Sequence, residues 1–372
     1  MWSTLFNNVN KAGLDGEEEV PLRIDYVKGH MGGNLIILLD GRQVPSGKEL
    51  EVALEVLEPF GLCGHEVGLL YPPRGHGDIR VRIVGYSSKD FITACGGLTQ
   101  VLGKVIVETN WGKRFNVAIT PPVTALSLET EAGTVPIFVQ GQAGRAERVL
   151  TDMTAFVEEC YSLGTYPIDL GRLNAMKVGK FLVLNADDVR ARYPSFDLSL
   201  VQYETKRILA ELQKKFQELT SPKNIDFALY DLHPSHSGNA RVVFPHGALN
   251  GHIEPTCGTG TVAIGIAMLE RGEFPSAPGK APQEGTIAFE CGGDIGLGGS
   301  ELSFLQYAIA GGRLVKALFS HERIEVISEG FLRLETVARL SSNINYRPPK
   351  NDMGDPTGRT LPNVRLQLRE ES

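Results

Sequence analysis

Apolar and polar residues alternate through Leu22-Arg-Ile-Asp-Tyr-Val-Lys28, which predicts a strand with one face toward a core. A glycine-rich turn, Gly29-His30-Met31-Gly32-Gly33-Asn34, leads into the apolar run Leu35–Asp40, a second strand. Leu50, Val52, Leu54, Val56 and Leu57 stand among glutamates at helical spacing within residues 47–61. Strands follow at Glu66–Tyr71 and Arg80–Val84, on either side of a Pro-Pro-Arg-Gly-His-Gly loop. Phe91-Ile-Thr-Ala94 then passes through Cys95 into a helix that runs to about Thr109.

After Pro121-Pro122 the pattern turns to β, with expected strands at Thr124–Leu128, Val135–Gln140 and Arg148–Thr151. Lys177–Asn185 reads as one strand, and Leu198–Leu219 as an amphipathic helix with Val201, Ile208, Leu209, Leu212 and Phe216 on one face. Strands at Ile225–Asp231 and Ala240–Phe244 flank a loop with His233 and His236. A second helix begins at Cys257 and runs through Met268. Beyond it come a proline-rich loop, Phe274–Gln283, and short strands at Thr286–Glu290, Gly312–Phe319, Arg323–Val326 and Phe331–Thr336.

The two helix starts echo each other. Cys95-Gly96-Gly97-Leu98-Thr99 through Gly103 aligns without a gap on Cys257-Gly258-Thr259-Gly260-Thr261 through Gly265. Cysteine, first glycine, threonine and last glycine coincide. Two similar halves are therefore expected, divided near residues 119–127, with a ligand between them. The expected organisation is a lead-in over 1–21, a first lobe over 22–122 with the Cys95 motif, a second lobe over 123–346 with the Cys257 motif, and an extension over 347–372. The final strands are free to return to the first lobe.

Composition narrows the function. Hydrophobic residues make up 42% of the 372 and charged residues 22%, with 42 glycines, which describes a globular chain with many tight turns. A formal net charge of −7 and the lack of a Lys/Arg block argue against nucleic acid as a partner. No apolar run is long enough to span a bilayer and no signal peptide is visible, so the expected location is the cytoplasm. Five widely spaced cysteines do not suggest a disulfide framework.

Open N–H groups at a helix N-terminus suit a bound carboxylate, and a cysteine there is expected to have a lowered pKa. Two such cysteines facing each other permit a thiolate to take a proton from a carbon acid while a thiol returns one to the opposite face. Stereochemistry is then inverted without metal or organic cofactor. Cys63, Cys160 and Cys291 lack the paired context and are expected to be structural, although Cys291 also opens a glycine-rich turn. His233, His236, His246 and His252 match no zinc spacing. His246, His252 and Glu254 are candidate substrate contacts, as are His30 and Asn34 in the first turn, and Lys180 is a candidate partner for an acidic substrate.

Pro255-Thr-Cys257-Gly-Thr-Gly-Thr261 resembles the C-terminal motif of the cofactor-independent proline racemase and diaminopimelate epimerase superfamily. Cys95-Gly96 continuing to Val107-Glu108-Thr109 is similar to the N-terminal motif of proline racemases, Lys28–Asn34 to the opening motif of diaminopimelate epimerases, and Glu129-Thr130-Glu-Ala-Gly133-Thr-Val135 to a strand turn of the family. The resemblance implies an α+β fold of two similar lobes, each a mostly antiparallel, barrel-like sheet around a central helix. It also implies Cys95 and Cys257 as acid/base residues, with Gly96, Gly97, Gly258, Thr259 and Gly260 around a small-molecule carboxylate, and it allows a homodimer. The Glu-Arg and Asp-Arg-Ser-Pro segments that precede the second motif in those enzymes are replaced here by Ala248-Leu-Asn-Gly251 and His252-Ile-Glu254-Pro-Thr, so neither diaminopimelate nor proline is the expected substrate. The leading expectation is a racemase or epimerase of an amino or imino acid. The alternatives are a double-bond or cis–trans isomerase of an unsaturated polycarboxylate and a carboxylate-binding homologue without turnover.

Overall fold

The computed structural model describes residues 22–334, apart from 60, 143, 170–172, 199–202, 220–225, 246–252, 275–283 and 292–300. The expected lead-in, the proline-rich loop beyond Phe274 and the C-terminal extension therefore lie outside the described residues, as do His246 and His252.

The chain begins with β1 (Leu22–Met31), β2 (Asn34–Asp40), α1 (Glu49–Leu57), β3 (Glu66–Tyr71), β4 (Ile79–Gly85), β5 (Asp90–Ile92), α2 (Gly96–Glu108) and α3 (Trp111–Arg114). It continues with β6 (Val123–Thr130), β7 (Gly133–Gln142), β8 (Arg145–Asp152), α4 (Thr154–Ser162), β9 (Thr165–Asp169), β10 (Asn174–Val178), β11 (Phe181–Asn185), α5 (Ala186–Arg190) and α6 (Tyr203–Leu219). The last elements are β12 (Asp226–Asp231), β13 (Ala240–Val243), α7 (Gly258–Glu270), β14 (Glu284–Cys291), β15 (Glu301–Ala310), β16 (Arg313–His321) and β17 (Ile324–Leu334).

Two helices set the plan. Leu98, Val101, Leu102, Val105 and Ile106 of α2, and Val262 through Met268 of α7, are buried on every side of their helices. A helix apolar all round must be enclosed rather than laid on a surface, and one long sheet encloses both. Following the pairings, its strands run β17, β1, β2, β3, β4, β6, β7, β8, β16, β15, β14, β13, β12, β11, β10, β9, with β5 beside β4. The strands β1, β2, β7, β8 and β17 pack on α2, and β10, β11, β12, β15 and β16 on α7. The sheet passes from one helix to the other at a short pairing, Leu318↔Asp152 and Phe319↔Thr151. This is an α+β fold of two lobes, each a mostly antiparallel sheet around a central helix.

The echoed glycine explains how closely sheet and helix approach. A Cβ on Gly103 would stand 2.7 Å from a Val149 methyl, and one on Gly265 2.6 Å from a Leu305 methyl. Both helices need that position bare.

Outer layers account for the continuous apolar runs. Ile37 and Leu39 of β2 pack with Val52, Ala53 and Val56 of α1, while Ile36 and Leu38 face α2. Leu182, Leu184, Phe227 and Leu229 pack with Ile208, Leu209 and Leu212 of α6. Strands covered on both faces lose their alternation.

Several elements differ from the sequence reading. Residues 177–185, expected as one strand, fold as the β10–β11 hairpin because Gly179 takes φ +57° and lies against Cys160. The two expected strands at 323–336 are one, β17, since pairing to β1 carries it through polar Ser328 and Glu329. The long helix is described over Tyr203–Leu219, and Leu198, expected as its first residue, lies outside it. The sequence reading missed β15, whose buried face opens with the polar residues Glu301 and Ser303. Among the described residues no helix is long and apolar enough to cross a membrane.

Candidate active site

Cys95 and Cys257 enter their helices with nearly the same backbone. Cys95 is extended at φ −148°, ψ 115°, and its sulfur accepts from the Leu98 N–H at 3.3 Å. Cys257, at φ −141°, ψ 118°, accepts from the Gly260 N–H at 3.4 Å and has the Thr259 hydroxyl 3.3 Å away. In each case sulfur occupies the N-cap role usually taken by a side-chain oxygen. The echoed threonines close the first turns: Thr99 Oγ1 donates to Gly96 O and Thr261 Oγ1 to Cys257 O, both at 2.7 Å.

The two helix starts meet head to head. A methyl group on Gly258 would lie 3.1 Å from Gly96 Cα and 3.2 Å from the Phe319 ring. Among the described residues nothing accepts from the N–H groups of Gly96, Gly97, Gly258 and Thr259. Four donors without an acceptor among the described residues thus lie in the first turns of two helices that abut, and such helix starts suit an anion.

Asn34 joins the two lobes here. It is buried at the start of β2, and its Nδ2 donates to Glu254 Oε1 at 2.8 Å and toward Thr256 O at 3.4 Å. A Cβ on Gly97 would stand 3.2 Å from that same Nδ2, so the bare backbone of the first motif makes room for the amide. Glu254 is itself held by a backbone bond from its N–H to Phe244 O at 2.9 Å.

The thiols are not equivalent to free cysteine. Burial pushes Cys95 well above the ordinary value of 9.0, with the Glu66 carboxylate next in weight; the Leu98 N–H pulls downward, while Glu254 and the Cys257 sulfur add to the rise. The expectation that a helix N-terminus lowers the pKa is therefore corrected for Cys95. Desolvation and neighbouring negative charge outweigh the dipole there. The mutual effect of the two sulfurs also opposes their being thiolates together.

Other expected contacts sit differently. His30 Nδ1 accepts from the Gly33 N–H at 3.2 Å and its Nε2 lies 3.2 Å from Glu325, so its described bonds hold the turn. Lys180 is exposed in the β10–β11 turn with its Nζ 2.7 Å from Glu159, and no described contact brings it to the cysteines. Sequence reasoning missed His65, whose Nδ1 lies 3.0 Å from Asn34 Oδ1, together with Glu66 and Thr256. His65-Glu66 opens β3, and only the strand pattern around it was legible. Among the described residues, the group of metal-type side chains is Asp187, Asp231 and His233, where Arg190 already pairs with both aspartates.

No protein-family model matches the chain, and no curated protein matches it. Solved structures do. A hydroxyproline epimerase from Agrobacterium vitis, with bound trans-4-hydroxy-L-proline, superposes with TM-score 0.57 at 15% identity, over 85% of this chain and 94% of that one. A methylitaconate-Δ-isomerase gives 0.56 at 16% identity, over 86% and 97%. A probable proline racemase from Agrobacterium radiobacter K84, with bound carbonate, gives 0.55 at 14% identity, over 84% and 93%. At these identities the likeness is one of fold alone, the fold that these three proteins share.

Proposed function

We propose that the chain is a cofactor-independent racemase or epimerase that inverts the α-carbon of an amino or imino acid by proton transfer between Cys95 and Cys257. The observation that supports this reading is the abutment of Gly96 and Gly258, the first residues of the two helices that Cys95 and Cys257 cap. The substrate carboxylate is received by the N–H groups of Gly96, Gly97, Gly258 and Thr259. One sulfur, as thiolate, takes the α-proton: the C–H bond breaks and an S–H bond forms. The other, as thiol, donates its proton to the opposite face of the carbon. The charge that develops on the carboxylate is stabilised by the same fixed donors. Each turnover leaves the two sulfurs with their protonation exchanged.

The raised pKa of Cys95 supports a resting state in which Cys95 holds its proton. The carboxylates of Glu66 and Glu254 act on the same thiol and add to that rise. Two neighbours of this fold, a hydroxyproline epimerase and a probable proline racemase, lend support to an amino or imino acid substrate.

The test is α-hydrogen exchange. A panel of amino and imino acids is incubated with the protein in deuterated water and followed by proton NMR. Exchange into at least one of them, lost in both C95A and C257A, is the expected outcome; exchange that survives both substitutions would discard the two-thiol mechanism. Turnover of unsaturated di- or tricarboxylates with none of amino acids would assign the isomerase reading instead.

A further inference from the structure

Cys291 ends β14 and His321 ends β16, and the sulfur of the first lies 3.2 Å from Nε2 of the second. Both are buried, at 1% and 3% exposure, and neither enters the proton transfer described above. The imidazole is braced from behind by Arg323, whose N–H and carbonyl oxygen each lie 3.0 Å from its Nδ1. The tautomer that this contact selects sets whether Nε2 donates to the sulfur or accepts from the thiol. The thiol in turn donates to Glu301 O at 3.4 Å. Burial lowers the His321 pKa to about 4 and raises that of Cys291 to about 12, so both groups stay neutral near pH 7.

The pair lies between two segments that reach the cysteine site. On one side is Gly32, at φ +54°, where a Cβ would stand 2.5 Å from His321 Nε2. The Gly32 N–H donates to Arg323 O at 3.0 Å, so the turn is pinned to the strand end that carries the imidazole. Asn34, two residues on, supplies the amide to Glu254 and Thr256. On the other side the Thr256 hydroxyl faces the Cys291 thiol, and Thr256 adjoins Cys257. One lobe provides the glycine turn and the other provides Thr256. The imidazole and thiol are the wedge that spaces them.

We propose that His321 and Cys291 form a positioning pair that holds Asn34 in register with the Thr256–Cys257 segment, so that both lobes present their polar groups to one substrate. The proposal rests on the reading of the cysteine pair as the reacting centre. Side chains that bind a reacting group need their own supports fixed to within fractions of an ångström.

The experiment reads thiol reactivity in the full chain. Wild type and variants are alkylated with iodoacetamide, and the rate at Cys257 relative to Cys95 is followed by peptide mass spectrometry. H321A is expected to change this ratio about tenfold, the scale on which small misplacements alter reactivity. H321Q, whose amide offers both a donor and an acceptor to Cys291, is expected to return the ratio to within about twofold of wild type, since a hydrogen bond to the sulfur is retained. C291A removes the other half of the wedge and stands in where H321A does not fold. An unchanged ratio in whichever of H321A and C291A folds, or an H321Q protein that behaves like H321A, would overturn the proposal. The readout is alkylation rather than turnover, so a chain without racemase activity still tests the pair, and the two failures are distinguishable.

Discussion

Gly96 and Gly258 stand face to face, with so little space between the two helix starts that a methyl group on the first would lie 2.9 Å from the Cα of the second. Glycine is needed at both because each opposes backbone, which cannot move aside as a side chain can. G96A and G258A are expected to lower stability by about 1–3 kcal/mol each through overpacking, measured by urea denaturation. An unchanged midpoint for either would mean that the helices do not abut there.

In the proposed transfer the two thiols act in sequence on one proton inventory, so neither substitutes for the other. C95A and C257A are each expected to reduce α-hydrogen exchange by about 10³-fold or more, the scale of a lost general acid or base, while far-ultraviolet circular dichroism stays as in wild type. A double variant no slower than either single one would agree with a unit that fails as a whole.

Asn34 and Glu254 face each other across the lobes at 2.8 Å. Replacing the amide by a carboxylate sets two acceptors against each other, and N34D is expected to lower kcat/KM about 100-fold, as for a lost bond to a charged group. Adding E254Q restores a donor to that contact, so N34D/E254Q should recover part of the loss. Equal rates for N34D and wild type would remove Asn34 from the site.

His321 makes stability depend on pH. Burial is the largest cause of its lowered pKa, and the His30 and Arg323 charges act in the same direction against the raising effect of the Arg323 backbone bond. With the ordinary value at 6.5 and the folded value at about 4, the unfolded chain binds more protons between those limits. Stability therefore rises with pH through that window, is fully present above about pH 6.5, and is lost as pH falls toward 4, by up to ~3 kcal/mol. Denaturation at pH 7 and pH 4.5 should show a larger difference in wild type than in H321Q; equal differences would contradict the assignment.

Glu129 serves a loop rather than the cysteines. Its carboxylate accepts from the backbone N–H groups of Arg74, Gly75 and Gly77 at 2.8, 2.8 and 3.0 Å, and those bonds hold its pKa below the usual range. E129A is expected to speed tryptic cleavage after Arg74 several-fold, because loop backbone released from such bonds is the preferred site of nicking. Cleavage at the wild-type rate would show that the loop is held by other contacts.

Much of this protein was determined locally and could be read without its structure. A helix cap is made within four residues, so Cys95-Gly96 and Cys257-Gly258 declared their N-terminal turns by themselves, and the spacing to Thr99, Thr261, Gly103 and Gly265 declared the likeness of the two halves. The β3 strand and the starts of β1 and α2 follow from periodicity over a few residues, and the observed elements agree with them. Only the tertiary structure decided what depends on distant chain segments meeting. The pairing of β17 with β1 and of β8 with β16 is set by sheet closure around α2 and α7, which no local pattern encodes. The approach of Asn34 to Glu254 spans 220 positions, and Cys291 meets His321 across 30. The rise in the Cys95 pKa was likewise beyond the sequence, because a helix dipole acts within its own first turn whereas desolvation and the charges of Glu66 and Glu254 exist only once the lobes have enclosed the thiol.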